Sequence, residues 1–208
     1  MSANRAPNRP IIPPKFHHTT FTTMRLDEMV AWYHTAVGLT PVFHGENGAW
    51  LTNDEANHRI ALLSPPGLKH PEDKGHTTGL HHTAFEYADF DQWMQNYVRL
   101  REAGIRPFLN LDHGMTISLY YQDPDGNGVE IQVDAFGDWA KSTSFMYSSA
   151  EFADNPIGAH FDPDKMAADW EAGVTFAEIH ERARRGEYAP AVIPDIYLPD
   201  ITEPPLPR

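Results

Sequence analysis

The chain has 208 residues, of which 41% are hydrophobic and 12% aromatic, which is enough for one ordinary domain but not for two large ones. Its formal net charge of -13 repels phosphate backbones, so nucleic acid is not an expected partner. No apolar run approaches the roughly 20 residues of a membrane helix, so no membrane partner is expected either. The absence of cysteine leaves histidine and carboxylate as the side chains that could hold a metal.

The clearest pattern is a duplication, in which each copy opens with a histidine pair. Phe16-His17-His18-Thr19-Thr20-Phe21 is followed 64 positions later by Leu80-His81-His82-Thr83-Ala84-Phe85. The offset continues through the apolar positions of the next segment, so a strand followed by an amphipathic helix is written twice. Two equivalent imidazoles facing one cavity indicate a metal site.

The first copy predicts a strand over residues 15–23 and a helix over 26–37, whose apolar spacing is helical and which Gly38 ends. Short strands are predicted over residues 40–43, 49–52 and 58–63. A loop over residues 64–78, rich in proline and glycine at its start, then joins the two copies.

The second copy repeats this order. It predicts a strand over residues 80–87, a helix over 89–103 that Gly104 closes, and strands over 106–110, 115–122 and 128–134. Asp123-Pro124-Asp125-Gly126-Asn127 is a strong turn signal, so the last two strands form a hairpin.

Both ends of the chain differ from this pattern. Residues 1–14 predict a flexible arm without an export signal, so the cytoplasm is the expected location. Residues 137–208 predict an extension that wraps the domain or a neighbouring subunit, with one helix starting at Asp162-Pro163 and another running from after Thr175 to Gly186. Five prolines follow Ile193, and a disordered tail is the alternative for the last fifteen residues.

The alternation of side chains along a strand selects one histidine of each pair. Phe21 and Phe85 should pack under the helices, so His18 and His82 point to the opposite face. In the last strand Val129, Ile131 and Val133 form the apolar face, which places Glu130 on the polar one.

Two neutral imidazoles and one carboxylate on a cavity wall form the facial triad of non-haem Fe(II) sites, which leaves coordination positions open. His18, His82 and Glu130 are therefore the predicted metal ligands, for Fe(II) and alternatively Mn(II) or Zn(II). The competing interpretation is that the histidine pairs are only polar strand residues, but their repetition at equivalent positions, together with Glu130, favours the metal site.

The sequence resembles the vicinal oxygen chelate superfamily (glyoxalase/bleomycin resistance/dioxygenase), and within it the one-domain type I extradiol catechol dioxygenases. The resemblance covers residues 15–136 and rests on His113-Gly114-Met115-Thr116 followed by Tyr120, the Asp123–Asn127 turn and Glu130. It implies an α+β fold of paired βαβββ modules, residues 15–65 and 79–136, that form one domain. It also implies an enzyme of aromatic hydrocarbon catabolism that uses Fe(II) and O₂ to open a catechol ring next to its two hydroxyls.

Carried over position by position, the resemblance implies the same three metal ligands and three further catalytic residues. Tyr120 matches a tyrosine that hydrogen-bonds a substrate oxygen, His113 a histidine behind the metal ligands, and His58 an acid/base histidine. The alternatives are that Tyr120 is a half-buried sheet tyrosine, that His113 is a turn residue and that His58 is a surface strand residue. The aromatic segments 136–139 and 145–147 could cover the pocket or serve ordinary packing. Six histidines have no motif support and are expected to be solvated: His34, His44, His70, His76, His160 and His180.

The smaller members of this family imply that a partner subunit or the extension completes the pocket, so a homo-oligomer is expected. The rival enzyme is a glyoxalase, epimerase or thiol transferase of the same superfamily. A glyoxalase site usually takes a fourth ligand from the last strand of the first module, where this chain has Ile60, Ala61 and Leu62. A metal-free binding protein of the same fold is the non-enzyme alternative.

Overall fold

A computed structural model describes residues 12–70 and 78–194, and it contains the predicted order of strand, helix and three strands twice. The first half consists of β1 (Thr19–Thr22), α1 (Leu26–Val37), β2 (Thr40–Gly45), β3 (Gly48–Thr52) and β4 (Ile60–Leu63). The second half consists of β5 (His82–Tyr87), α2 (Phe90–Glu102), β6 (Leu109–Asp112), β7 (Thr116–Gln122) and β8 (Gly128–Asp134). The predicted α+β class and the paired βαβββ modules are confirmed.

Local chemistry explains where these elements begin and end. Gly38 and Gly104 follow the two helices with φ values of 70° and 78°, a left-handed conformation that glycine adopts without strain. The Asp89 carboxylate caps α2 by accepting a hydrogen bond from the Gln92 amide at 2.8 Å. β6 begins at Leu109, later than predicted, after Pro107, which has no N–H to donate to a strand.

The two halves form separate sheets of matching topology. The first sheet has the order β1-β4-β3-β2 and the second the order β5-β8-β7-β6, to which a later strand, β9, is added. In each sheet the first strand of the half pairs in parallel with the last, and the remaining pairs are antiparallel. The duplicated sequence thus gives two half-domains of the same design.

One hydrophobic core holds the two halves together. Met29 and Tyr33 of α1 and Trp93 and Tyr97 of α2 are fully buried in the same cluster, which also takes in side chains of both sheets. Polar contacts cross the boundary as well: the buried Tyr33 hydroxyl donates to Asp123 Oδ2 at 3.1 Å. The relative position of the halves is therefore fixed by packing and by hydrogen bonds.

The C-terminal extension continues the same chain with α3 (Trp139–Ser148), α4 (Ala150–Asp154), β9 (Ala159–His160), α5 (Pro163–Glu171) and α6 (Phe176–Arg184). The predicted starts of α5 and α6 are confirmed, with Asp162 and Thr175 as N-caps. The sequence did not predict α3 or α4, because serines of low helix propensity interrupt the segment. The predictions for residues 1–11, 71–77 and 195–208, which include most of the arm and fourteen of the last fifteen residues, lie outside the described residues.

The extension packs against the second half of its own chain. β9 pairs with β6, and Phe161, Met166 and Ile179 enter the main core. His180 of α6 lies 3.2 Å from the Oδ1 atom of Asp112, and the two side chains are 13% and 0% exposed. The prediction that His180 is solvated was therefore wrong, because its partner is 68 positions away in the sequence.

Within the described residues, no helix is both long and apolar enough to cross a membrane.

The extension approaches the second sheet so closely at Gly158 that a side chain there should destabilise the fold. A Cβ there would overlap the Asp112 carbonyl oxygen and lie 2.8 Å from His113 Cα, whereas a Cβ at Gly173 would meet nothing within 4 Å. Both glycines have positive φ, so Gly173→Ala should cost about 1 kcal/mol of unfolding free energy from backbone strain alone. Gly158→Ala should cost about 3 kcal/mol, because the backbone must also move. Urea unfolding of both variants tests this, and equal losses would contradict the close approach.

Asp164 of α5 should make the free energy of unfolding fall at acidic pH. Its carboxylate accepts hydrogen bonds from Tyr97 at 2.7 Å and from Arg101 and Arg106, both at 2.9 Å. Partial burial opposes ionisation, but these hydrogen bonds outweigh it and lower the pKa of Asp164 to about 2. A depressed pKa contributes stability above the unfolded-state value near 4, and this contribution is lost as the pH falls towards 2.

Asp164→Asn should consequently flatten the fall in unfolding free energy between pH 4 and pH 2, as measured by urea titrations at several pH values. Asp154→Asn, at the exposed end of α4, is the matched control and should keep the wild-type slope. An unchanged slope in Asp164→Asn would show that other carboxyl groups govern acid unfolding.

Candidate metal centre

The second half brings a histidine and a carboxylate together on one face of the sheet. β5 and β8 pair in parallel with Ala84 opposite Glu130, so His82 and Glu130 share the face that side-chain alternation predicts. His82 Nε2 lies 2.9 Å from Glu130 Oε2, and the Glu130 side chain is only 7% exposed. A buried carboxylate beside an imidazole nitrogen is a donor pair suited to a divalent ion of the N/O type.

Tyr120 and His113 extend this pair into a chain of contacts. Tyr120 is directly opposite Glu130 in the antiparallel β7–β8 ladder, and its hydroxyl donates to Glu130 Oε1 at 2.9 Å. On its other side the hydroxyl lies 2.9 Å from His113 Nε2. His113 itself sits in the turn between β6 and β7, so it is a turn residue whose ring reaches the predicted site.

Burial governs the ionisation of these groups. Burial alone would raise the pKa of the Glu130 carboxyl, but hydrogen bonds, including the one from His82, outweigh it and hold the pKa below its ordinary value. Burial and the neighbouring Glu130 charge raise the pKa of the Tyr120 phenol, so it stays protonated and can donate. Burial lowers the pKa of His113, which favours its neutral form. The second half therefore offers an ionised carboxylate next to neutral donors.

The first half places the other two predicted histidines beside each other. The His18 and His58 rings have centroids 4.3 Å apart, and His17 lies 5.1 Å from each of them. β1 and β4 pair in parallel from Thr19 and Ile60 onwards, which aligns the segments that precede them. Partial burial, followed by the neighbouring imidazoles, lowers the pKa of His58 below its ordinary value, so it is unprotonated and able to act as a base near neutral pH.

The two histidine pairs have the same internal geometry. Nδ1 of His17 contacts Nδ1 of His18 at 2.9 Å, and the equivalent atoms of His81 and His82 are 2.8 Å apart. In both pairs the rings are nearly perpendicular. Because this contact uses Nδ1, Nε2 is the ring nitrogen of His18 and His82 that is left to bind a metal. In His82 that nitrogen faces Glu130.

The structure groups the predicted residues by half. His82, Glu130, Tyr120 and His113 form one set, and His18 and His58 form another. Across residues 12–70 and 78–194, three potential ligand atoms lie within 4.8 Å of one another in the group His17, His18 and His58, not in the predicted triad. The ligand atoms of His18, His82 and Glu130 thus do not all lie within 4.8 Å of one another.

Two further observations bear on the chemistry of the site. Ile60, Ala61 and Leu62 of β4 are buried and apolar, so they supply no fourth ligand of the glyoxalase kind. Beside Tyr120, the same face carries Leu109 and Leu111, which together with Tyr120 form a small buried cluster.

The extension contributes to this region in a way that the sequence did not predict. Ile157 packs against the cluster of Leu109, Leu111 and Tyr120. Phe145 of α3 lies over the turn at Gly114, where a Cβ would be 2.7 Å from its ring. Of the aromatic segments proposed as cover, Phe145 therefore lies near the site, whereas Tyr147 is 88% exposed. Only the three-dimensional packing places Ile157 here, because it lies 37 positions from Tyr120 in a segment without a motif.

Comparison with known proteins agrees with the fold. Residues 15–131 match the model of the Glyoxalase/Bleomycin resistance protein/Dioxygenase superfamily. The chain belongs to this superfamily. Biphenyl-2,3-diol 1,2-dioxygenase 3 of Rhodococcus globerulus is 39% identical over 172 residues, which are 83% of this chain and 90% of that protein. Biphenyl-2,3-diol 1,2-dioxygenase 2 of the same organism is 37% identical over 177 residues, which are 85% of this chain and 92% of that protein.

Among solved structures, a glyoxalase/dioxygenase from Nostoc punctiforme matches 61% of this chain and 97% of its own with a TM-score of 0.50 at 19% identity, a likeness of fold alone. The relatives that span most of the chain, by contrast, confirm the predicted enzyme class, an extradiol dioxygenase of this superfamily. Such enzymes imply a catalytic metal, a catechol-type substrate and O₂.

Proposed function

We propose that this chain binds Fe(II), with Mn(II) as the alternative ion, through His18, His82 and Glu130, and opens a catechol-type ring next to its two hydroxyls. It would act in the cytoplasm as a homo-oligomer. The observation that carries the proposal is the buried Glu130 carboxylate, which contacts His82 Nε2 and the Tyr120 hydroxyl, each at 2.9 Å. An ionised, buried carboxylate beside an imidazole fits a divalent ion, and three ligands leave positions free for a diol and O₂.

The residues around this carboxylate have separate tasks. A divalent ion held by His18, His82 and Glu130 would lower the cost of removing a hydroxyl proton from the diol. The buried, protonated Tyr120 hydroxyl would hydrogen-bond a substrate oxygen, and His113, whose Nε2 lies 2.9 Å from that hydroxyl, would orient it. His58, unprotonated near neutral pH, is suited to accept the substrate proton and later return it.

Apolar side chains next to Tyr120 suit an aromatic ring. Leu109 and Leu111 are 3% and 4% exposed, and Phe108 and Ile157 pack against them. Such a wall excludes water from the ring and favours a flat apolar substrate over a charged one. The names of the two Rhodococcus globerulus relatives make biphenyl-2,3-diol the first substrate to try.

The ligand set is tested by metal content. His18→Ala, His82→Ala and Glu130→Ala should each lose stoichiometric iron after loading under anaerobic conditions, and with it the oxygen uptake on addition of biphenyl-2,3-diol. His17→Ala and His81→Ala are the matched controls, because each removes the neighbouring ring but no predicted ligand. They should still bind about one ion at saturating iron, although their affinity could fall by about tenfold through loss of the orienting contact.

Two outcomes would overturn this assignment. Loss of iron in His17→Ala together with its retention in Glu130→Ala would identify the three-imidazole group of His17, His18 and His58 as the site. Stoichiometric iron without oxygen uptake on any catechol would instead favour the glyoxalase or epimerase type of chemistry, in which the metal does not change its redox state. A wild-type chain that binds no metal but retains an apolar ligand would be a binding protein.

Tyr120→Phe separates substrate binding from metal binding. Removal of the hydroxyl should lower kcat/KM for biphenyl-2,3-diol by about tenfold to a hundredfold, the worth of a hydrogen bond to a charged group, while the iron content stays at the wild-type level. Tyr121→Phe is the matched control: its hydroxyl is buried on the opposite face without a hydrogen-bond partner in the described part of the chain, so activity should be unchanged. Equal effects of the two substitutions would remove Tyr120 from the site.

A further inference from the structure

The extension reaches the second sheet through one buried polar contact. His180 of α6 lies with its Nε2 atom 3.2 Å from Oδ1 of Asp112, at the end of β6, and both side chains are largely buried. The other carboxylate oxygen of Asp112, Oδ2, is buried and has no hydrogen-bond partner among the described residues. A buried carboxylate without donors is strongly unfavourable, so Asp112 depends on the donor that His180 supplies.

The packing of α6 holds the His180 ring at this position. Ile179 and Ala183 of the same helix are buried in the main core. The His180 ring stacks on Phe176, one turn earlier, with centroids 5.8 Å apart and an interplanar angle of 14°. Phe176 in turn stacks on Phe90 of α2 at 4.4 Å. The imidazole is therefore fixed by its own neighbours before it contacts Asp112.

Asp112 fixes the turn that carries His113. Its Oδ1 atom also accepts a hydrogen bond from the Gly114 amide at 2.8 Å, and the His113 amide donates to the Thr116 carbonyl at 2.9 Å. Asp112 lies opposite Ile117, a core residue, so its side chain is on the core side of the sheet. His113 is the next residue, so a contact made on the core side determines where the backbone of His113 lies.

The turn directs the His113 ring at Tyr120. His113 Nε2 lies 2.9 Å from the Tyr120 hydroxyl, which donates to Glu130 Oε1 at 2.9 Å. A hydrogen bond weakens steeply as its distance and angle depart from the optimum. Loosening the turn would therefore weaken the contact of His113 with the Tyr120 hydroxyl.

We propose, on the basis of the roles argued above for His113 and Tyr120, that His180 is a positioning residue of the reaction. His180 holds the Asp112 carboxylate, Asp112 holds the turn over residues 112–114, and the turn keeps His113 directed at the Tyr120 hydroxyl. The extension thus acts on the site from the core side of the sheet. A residue that served stability alone would affect the whole fold, whereas the effect of His180 on the reaction passes through His113.

Two variants of similar side-chain volume test this role. His180→Leu keeps apolar packing on Phe176 but removes the donor, whereas His180→Gln keeps an N–H of similar reach. His180→Leu should lower kcat/KM for biphenyl-2,3-diol by about tenfold at unchanged iron content, and His180→Gln should recover most of this loss. Exchange of the Gly114 amide hydrogen, followed by NMR, should be about tenfold faster in His180→Leu and close to the wild-type rate in His180→Gln. Unchanged exchange and activity in His180→Leu would overturn the proposal.

A double-mutant cycle with His113→Ala separates positioning from stability. Once His113 is replaced, His180→Leu should lower kcat/KM by no more than about twofold further. The full loss in that background would overturn the proposal, because general destabilisation does not depend on His113. Arg182→Ala is the matched control, since this side chain of the same helix donates to Asp169 of α5 at 2.8 Å. It should leave kcat/KM and Gly114 exchange unchanged, and an effect equal to that of His180→Leu would also overturn the proposal.

Asp112→Asn supplies a second test that does not require His180→Leu to fold by itself. The amide oxygen of asparagine can still accept from the Gly114 amide, but the buried charge that needs the imidazole is gone. In this background His180→Leu should fold and lower kcat/KM by no more than about twofold. A further loss of about tenfold would show that His180 acts by another route and would overturn the proposal.

These measurements distinguish the positioning role from the proposed function. If the wild-type protein takes up oxygen while His180→Leu changes neither activity nor Gly114 exchange, the positioning role fails alone. If the iron-loaded wild-type protein takes up no oxygen with any catechol, the proposed function fails, and the exchange rates still decide whether His180 holds the turn. Wild-type kcat/KM in His113→Ala would remove His113 from the proposed function and would overturn the positioning role with it.

Discussion

The buried carboxylate of Glu130 is the constraint around which the second half is organised. A carboxylate that is 7% exposed must be balanced by donors, and it is balanced here by His82 from the neighbouring parallel strand and by Tyr120 from the antiparallel one. Both contacts follow from ladder register, because Ala84 and Tyr120 lie opposite Glu130 in the two pairings. The same register places Leu109 beside Tyr120, so the apolar wall is also fixed by the strand order.

This dependence on register explains what could be predicted from the sequence. Side-chain alternation selected His82 and Glu130 because their strands are neighbours in one sheet, and a period of two residues determines which side chains share a face. The helix ends were predictable for a similar reason, since Gly38 and Gly104 act locally. In these places the physical cause lies within a few residues of its effect.

The features that escaped prediction depend on contacts between distant segments. Alternation along β1 places His18 on a face of its own sheet but carries no information on where that sheet stands relative to the second one. The pairing of His180 with Asp112 and the packing of Ile157 on Tyr120 join the extension to the domain across long stretches of chain. Neither contact leaves a periodic signal, so a histidine expected in solvent is found beside a fully buried aspartate.

The repeated contact between Nδ1 atoms in the histidine pairs has a consequence for proton placement. A hydrogen bond between two such nitrogens needs one ring to carry the hydrogen and the other to receive it. An imidazole that gives its Nε2 lone pair to a cation keeps its hydrogen on Nδ1, so His17 and His81 become the receivers and carry their own hydrogen on the far nitrogen. Each candidate ligand thus has, as its immediate neighbour in sequence, the group that fixes its tautomer, which gives a physical reason for a doubled histidine where a single one would supply the donor atom.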